Sequence, residues 1–82
     1  MKRTTIYAIL AETETGERVE LMTGNRKEIE TLYKAIIADS PAARWISTEK
    51  GKFKVYAYGS TRTTRPDLIK PVMSVNDQYK LI

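Results

Sequence analysis

The stretch ARWISTEKGKFKVYAYG, residues 43–59, predicts a β-hairpin with its turn at Lys50-Gly51. This turn sets three pairs of residues opposite each other across the hairpin: Thr48 with Phe53, Ile46 with Val55, and Trp45 with Tyr56. Because alternate residues of a strand point to opposite sides, the hairpin has two distinct faces. The apolar face carries Ile46, Phe53, Val55 and Ala57. The other face carries Trp45, Ser47, Lys54, Tyr56 and Tyr58.

The residues before the hairpin predict two further strands. TTIYAILAET, residues 4–13, is apolar on both sides, with Tyr7, Ile9 and Ala11 alternating with Ile6, Ala8 and Leu10, as is typical of a central strand. ETETGERVELMT, residues 12–23, then adds a turn at Thr15-Gly16. In the strand after this turn, Val19 and Leu21 alternate with Arg18 and Glu20, which predicts a half-buried strand.

The stretch GNRKEIETLYKAIIADSP, residues 24–41, predicts an amphipathic helix. Asn25 is an N-cap residue, and Glu28 follows it at capping-box spacing. Pro41 marks the expected end. The apolar stripe that is expected to pack on the sheet comprises Ile29, Leu32, Tyr33, Ile36 and Ile37.

This order of elements predicts an α+β fold in a single domain, residues 1–82, with its core at 4–59 and a C-terminal extension at 60–82. We expect a two-layer sandwich in which an antiparallel-rich ββαββ sheet carries one helix on one face. A short C-terminal strand or extended segment follows. One helix covers only one face of a sheet, so the second face depends on the extension.

The C-terminal extension, STRTTRPDLIKPVMSVNDQYKLI, is too apolar for a free arm. Pro66 and Pro71 interrupt any long helix, and short strands are expected around residues 72–75 and 79–82. Two paths are open. The extension either crosses the face with Trp45 and Tyr56 and buries it, or it extends the sheet edge and leaves that face exposed.

The composition limits the chemistry that the chain can carry. It has no histidine and no cysteine, so most hydrolytic, thiol and sulfur-ligated metal sites are excluded. The glutamates of the first half are expected to form solvated surface rather than a cation site, and the four glycines are isolated rather than grouped in a phosphate loop. The sequence therefore predicts no enzyme, no cofactor and no metal site. MKRTTIYAIL has no secretory cleavage site, and we expect a cytoplasmic protein without a membrane segment.

Positive charge is concentrated in the second half of the chain. The first 41 residues carry six Lys or Arg against seven Asp or Glu, whereas the remaining 41 carry eight against three. Basic residues among aromatic ones suit phosphate contacts combined with base stacking, although no RNA-recognition octapeptide, GXXG clamp or helix-turn-helix pattern is present. On this alternative, the nucleic-acid-binding residues are Lys50, Lys52, Lys54, Arg62 and Arg65.

The order of two strands, a helix and two strands, with GERVEL (16–21) opening the second strand and YGSTRTT (58–64) leaving the fourth, resembles small phage-encoded anti-CRISPR proteins of the type I class. The resemblance covers most of the chain. It implies a non-enzymatic inhibitor that blocks a guide-RNA surveillance complex by occupying its protein subunits, often where target DNA binds. Many such inhibitors are acidic, whereas the basic second half of this chain requires an acidic protein patch or a nucleic acid as its target.

We therefore expect a small binding protein that works by occupying the surface of a protein partner. A homodimer through the same face is compatible with this expectation. The partner-binding residues are predicted to be Arg44, Trp45, Lys54, Tyr56 and Tyr58.

Overall fold

The computed structural model of the protein describes residues 2–38 and 43–82. Along the chain, its elements are β1 (Thr4–Thr13), β2 (Arg18–Gly24), α1 (Arg26–Ile37), β3 (Arg44–Thr48), β4 (Gly51–Thr63), a single 3-10 turn (Pro66–Leu68) and β5 (Tyr79–Leu81). The strands form one antiparallel sheet in the order β2-β1-β4-β3-β5. The predicted α+β class is confirmed, with one α-helix and five strands in the described residues.

Strand β1 has a neighbour on both sides, as its two apolar faces predict. It pairs with β2 along one edge and with β4 along the other, from Thr4↔Thr63 to Thr13↔Phe53. Gly16, with φ +90°, closes the turn between β1 and β2 in a conformation that favours glycine. The predicted turn at Thr15-Gly16 is confirmed.

Helix α1 begins at the predicted cap. The side-chain Oδ1 of Asn25 accepts a hydrogen bond from the backbone N–H of Glu28 at 2.8 Å, which satisfies one of the free amides of the first turn. Ile29 and Ile36 are fully buried, and Leu32 and Tyr33 pack beside them. Pro41, the expected end marker, lies outside the described residues.

The β3–β4 hairpin forms, but its register differs from the predicted one by two residues. Thr48 lies opposite Gly51, Ile46 opposite Phe53 and Trp45 opposite Lys54. The Thr48 hydroxyl donates to the carbonyl of Gly51 and accepts from the amide of Lys50, which tightens the turn around Glu49 and Lys50. Gly51, at φ +120°, follows that turn instead of lying inside it. A shift of two residues leaves each side chain of β3 on its predicted face.

Two β-bulges interrupt the ladders of β1. Opposite β2, the register shifts between Ile9 and Leu10, and Leu21 is the extra residue, so that Leu21 and Met22 are both fully buried. Opposite β4, the register shifts between Leu10 and Ala11, and Tyr56 is the extra residue. Beyond a bulge, the alternation of side chains along the bulged strand is reversed.

The core lies between α1 and the sheet. Its buried side chains are Ile9, Ala11, Leu21, Met22, Ile29, Ile36, Ile46, Phe53, Val55 and Met73. Met73 comes from the C-terminal extension, whose Val72, Val75 and Tyr79 pack against the same cluster.

The extension therefore takes the second of the two paths, at the sheet edges, and packs on the helix side. The amides of Val72 and Met73 donate to the carbonyls of Glu20 and Leu21 at the outer edge of β2, at 3.2 and 3.0 Å. The chain then crosses to the opposite edge, where β5 pairs with β3. The expected strand at 79–82 is confirmed as Tyr79–Leu81, whereas residues 72–75 make two backbone bonds without forming a strand.

Among the described residues, no helix is long and apolar enough to cross a lipid bilayer.

Candidate binding face

A row of four side chains runs across the sheet on the side away from α1. The paired residues, from β2 to β3, are Arg18, Glu12, Lys54 and Trp45. Residues directly opposite each other on antiparallel strands project to the same side, so these four share one face. The surface that we call the open face consists of these four and of the residues in the rows beside them, which are Leu10, Glu20, Ser47, Lys52, Tyr56, Ala57 and Lys80.

Tyr56 lies on the open face, as alternation from Lys54 predicts, and the bulge in β4 brings Ala57 onto the same face. The Arg18 guanidinium carbon is 6.0 Å from the centroid of the Tyr56 ring, within the range of a weak cation–π contact. The Tyr56 backbone is held from the other side, since its carbonyl accepts the hydroxyl of Tyr33 at 3.3 Å. Helix α1 thus holds the backbone of β4 at Tyr56, although the Tyr56 side chain points away from the helix.

The charges of the open face are only partly neutralised. The Lys54 ammonium lies 3.8 Å from a carboxylate oxygen of Glu12, with 38% of the Lys54 side chain exposed. Such a half-exposed ion pair contributes at most about 1 kcal/mol and leaves the ammonium available to a partner. Four cations face two carboxylates on this side of the sheet: Arg18, Lys52, Lys54 and Lys80 against Glu12 and Glu20.

Trp45 and Tyr56 are half-buried, and neither belongs to the hydrophobic core. The residues of the extension that pack on the core, Val72, Met73, Val75 and Tyr79, do so on the helix side of the sheet. Next to Trp45, the β5 segment supplies Lys80, which is opposite Ser47 and faces the same way as Lys52. The result is an aromatic centre with a basic margin.

The prediction that Tyr58 shares this face is wrong. Tyr58 is opposite Ile9, a core residue, and its ring packs at a tilt against the ring of Tyr33 of the helix, with centroids 4.9 Å apart. The cause is the extra residue at Tyr56, which reverses the alternation for every position of β4 beyond it. No feature of the sequence of β4 alone signals this bulge.

The prediction that Arg44 belongs to this face is also wrong, because Arg44 lies on the helix side of the sheet. It is opposite buried Val55, and its guanidinium donates to the carbonyl of Ala38 at 3.3 Å, just after the end of α1. A cation at the C-terminal end of a helix is favoured by the helix dipole and satisfies a free carbonyl. Of the five predicted partner-binding residues, the structure brings together three, Trp45, Lys54 and Tyr56.

The residues predicted for nucleic-acid binding do not form one patch. Lys52 and Lys54 lie on the open face, and Lys50 lies in the turn at the same end of the sheet. Arg62 is ten residues further along β4 than Lys52, about 33 Å at the usual rise of a strand. Arg65 follows β4 and pairs with Asp67 at 3.5 Å.

The sequence reasoning missed Arg18, Glu12 and Lys80 as members of the open face. Arg18 could have been found, because it occupies the polar side of a strand with clear alternation. Glu12 could have been assigned to the open face once it was known which residues of β1 point toward the helix. Lys80 could not have been found, because its position depends on the pairing of β5 with β3. These two strands are neighbours in the sheet but are separated in sequence by the whole of β4.

Within residues 2–38 and 43–82, no group of three acidic, histidine or cysteine side chains is close enough to hold a metal ion. Comparison with protein-family models, curated proteins and solved structures found no match to this chain.

Proposed function

We propose that this protein is a non-enzymatic binding module that occupies a surface of a protein partner through the open face. The observation that carries the proposal is that Trp45, Lys54 and Tyr56 lie together on the side of the sheet away from α1 and outside the hydrophobic core. Aromatic and basic side chains of this kind dominate the energetic centres of protein interfaces. A sheet also presents them rigidly, with little ordering cost on binding.

The charge of the open face favours an acidic partner surface. Its four cations exceed its two carboxylates, and the protein carries a net charge of +4. Lys52 and Lys80 lie at the margin, where exposed charges mainly raise the association rate and select the partner. Trp45 and Tyr56 supply the apolar centre.

The proposal takes the protein to act without catalysis, cofactor or metal, because the chain contains neither histidine nor cysteine. On this proposal, the helix and the sheet are the two layers of a sandwich with a ββαββ core. The sheet face away from the helix is left for the partner, and the protein acts in the cytoplasm.

The resemblance to type I anti-CRISPR proteins suggests one class of partner. On this hypothesis, the open face covers an acidic patch on a protein subunit of a guide-RNA surveillance complex, and a phage or mobile element encodes the inhibitor. The order of the elements supports this version of the proposal. A purified type I surveillance complex is therefore the first partner to test.

The test compares a Trp45→Ala/Tyr56→Ala variant with the wild type in binding to that surveillance complex, measured by biolayer interferometry, and in its effect on target-DNA binding. We expect the variant to lose at least 100-fold in affinity, because both aromatic centres are removed. Leu68→Ala, which truncates an apolar side chain that is 64% exposed outside the open face, is the control and should bind like the wild type. Circular dichroism and thermal unfolding verify that each variant is folded.

Trp45 is the only tryptophan, so its fluorescence reports directly on the open face. Binding should shift its emission to shorter wavelength and protect it from acrylamide, whereas unchanged quenching in the complex would contradict the proposal. If the surveillance complex does not bind, the same variants are used in affinity capture from host extract. Light scattering measures the mass of the wild type and of the Trp45→Ala/Tyr56→Ala variant. Self-association that is seen only in the wild type would identify a second copy of the chain as the occupant of the open face.

A further inference from the structure

At the opposite end of the sheet from the β3–β4 turn, β1 and β4 continue as an isolated pair of strands. β2 accompanies β1 only as far as Tyr7↔Gly24, and β3 accompanies β4 only between Gly51 and Val55. The pairs Thr4↔Thr63, Thr5↔Arg62 and Ile6↔Thr61 therefore have no described strand on either side. We call residues 2–6 and 60–65 the basic ribbon.

The basic ribbon is the end of the longest strand pair in the sheet. The longest extent of the molecule is 42 Å, which is about the length of a 13-residue strand such as β4. The three unaccompanied pairs account for about 10 Å of this length. Nearly all side chains of the ribbon are exposed, and Ile6 and Thr63 are half-buried.

The chemistry of the basic ribbon is one-sided. Its two segments, KRTTI and STRTTR, contain four cations, six hydroxyl side chains and no carboxylate. In residues 2–38 and 43–82, Lys2, Arg3 and Arg62 form no ion pair, and Arg65 has only a highly exposed one with Asp67. A surface that gathers like charges with little compensation favours a polyanion, and Arg, Lys, Ser and Thr are among the side chains that contact phosphate oxygens.

We propose that the basic ribbon binds the phosphate backbone of duplex DNA. The major groove of B-form DNA, about 12 Å wide, admits a two-stranded β-ribbon, whereas the deep and narrow major groove of an RNA duplex does not. The ribbon contains no aromatic residue, so it offers no stacking platform for the bases of a single strand. The nearest aromatic residue along β4, Tyr58, packs against the ring of Tyr33.

This site is separate from the open face. Trp45 is opposite Lys54, and Lys54 precedes Arg62 by eight residues of β4, about 26 Å. The two proposals therefore make different predictions. DNA binding at the ribbon does not require Trp45 or Tyr56, and binding of a protein at the open face does not require Arg3 or Arg62.

The test measures the binding of a fluorescein-labelled 20-bp DNA duplex of random sequence by fluorescence anisotropy between about 20 and 200 mM NaCl. With four phosphate contacts, we expect the logarithm of the association constant to fall with the logarithm of salt concentration with a slope of about −3.6. Arg3→Gln/Arg62→Gln should reduce this slope by about two and weaken binding about 10- to 100-fold at low salt.

The control is Arg26→Gln/Lys27→Gln, which removes the same net charge from the exposed start of α1. It should retain the slope of the wild type, as should Trp45→Ala/Tyr56→Ala. The proposal is overturned if the duplex does not bind at low salt, or if the helix control weakens binding as much as the ribbon variant does.

Two other outcomes would also overturn it. Tighter binding to a single strand of the same length, lost in Trp45→Ala/Tyr56→Ala, would place nucleic acid on the open face instead. If Arg3→Gln/Arg62→Gln no longer binds the protein partner but still binds DNA like the wild type, the ribbon belongs to a protein interface.

Discussion

The rings of Tyr33 in α1 and Tyr58 in β4 pack with their centroids 4.9 Å apart and their planes tilted by 46°. The hydroxyl of Tyr33 also donates to the carbonyl of Tyr56, so one helix residue contacts both sides of the bulge in β4. This contact holds the bulge in the orientation that turns Tyr58 toward the helix and Tyr56 toward the open face. The composition of the candidate site therefore depends on packing against the opposite side of the sheet.

Substitutions at these two tyrosines should couple. We expect Tyr33→Ala and Tyr58→Ala to lower the free energy of unfolding in urea, with a coupling of about 0.5–1.5 kcal/mol in the double-mutant cycle, because each loses the same ring contact. Tyr33→Phe keeps the ring and should cost about 1 kcal/mol through the lost hydrogen bond. Strictly additive effects of the two alanine substitutions would be inconsistent with a direct contact between the two rings.

Asn25 should stabilise the start of α1. We expect Asn25→Ala to lower the free energy of unfolding by about 1 kcal/mol, because the amide of Glu28 loses its acceptor. Asn25→Asp should retain most of the stability, since a carboxylate also caps the helix and suits its dipole. Chemical denaturation measures both variants. Equal losses in Asn25→Ala and Asn25→Asp would argue against a capping role.

Met73 should matter far more than its place in an irregular segment suggests. Its side chain is 4% exposed and belongs to the core, so Met73→Ala is expected to destabilise the protein by about 2–5 kcal/mol. Leu68→Ala, in the same extension but 64% exposed, should change stability by less than about 0.5 kcal/mol. Thermal unfolding separates the two. Similar small effects would mean that the extension is not part of the folded core.

The helix-surface pair of Glu30 and Lys34 should make a small contribution that depends on pH. The hydrogen bond from Lys34, at 2.9 Å, and its positive charge lower the pKa of Glu30 below the ordinary range of a glutamate. A group whose pKa is lowered on folding stabilises the native state above its unfolded-state pKa and loses this effect as the pH falls through its folded-state pKa.

The melting temperature of Glu30→Gln should therefore lie slightly below that of the wild type at neutral pH and approach it as the pH falls through the lowered pKa of Glu30 in the folded protein. High salt at neutral pH should narrow the same difference. A difference that persists unchanged in acid would show that the charge of Glu30 is not its source.

Much of the local structure could be predicted from residue patterns. The cap at Asn25 and the turn at Thr15-Gly16 are confirmed, because each depends on interactions within a few residues. The central position of β1 is confirmed as well, and it could be predicted because both faces of this strand are apolar. The predicted register of the β3–β4 hairpin differs from the observed one by two residues, because the prediction has Gly51 inside the turn and the structure has it after the turn. That error did not move any side chain of β3 to the other face.

The candidate site could be predicted in part. Trp45, Lys54 and Tyr56 share the open face as expected, whereas Tyr58 and Arg44 do not. Arg44 precedes Trp45 directly, so strand alternation already places the two on opposite sides. Tyr58 differs for another reason, because its side was reversed by a bulge that only the pairing of β4 with β1 produces.

The sequence by itself determined the two hairpins and the helix, and that Trp45 and Lys54 differ in side from Ile46 and Phe53, because periodicity and capping are local properties of the chain. Only the tertiary structure decided that Tyr56 is a bulge residue and that Met73 completes the core on the helix side. It also decided that β1 and β4 extend beyond their neighbours as the basic ribbon. These features depend on the lengths and registers of strands that are distant in sequence, and those are set by joint burial of side chains rather than by any one segment.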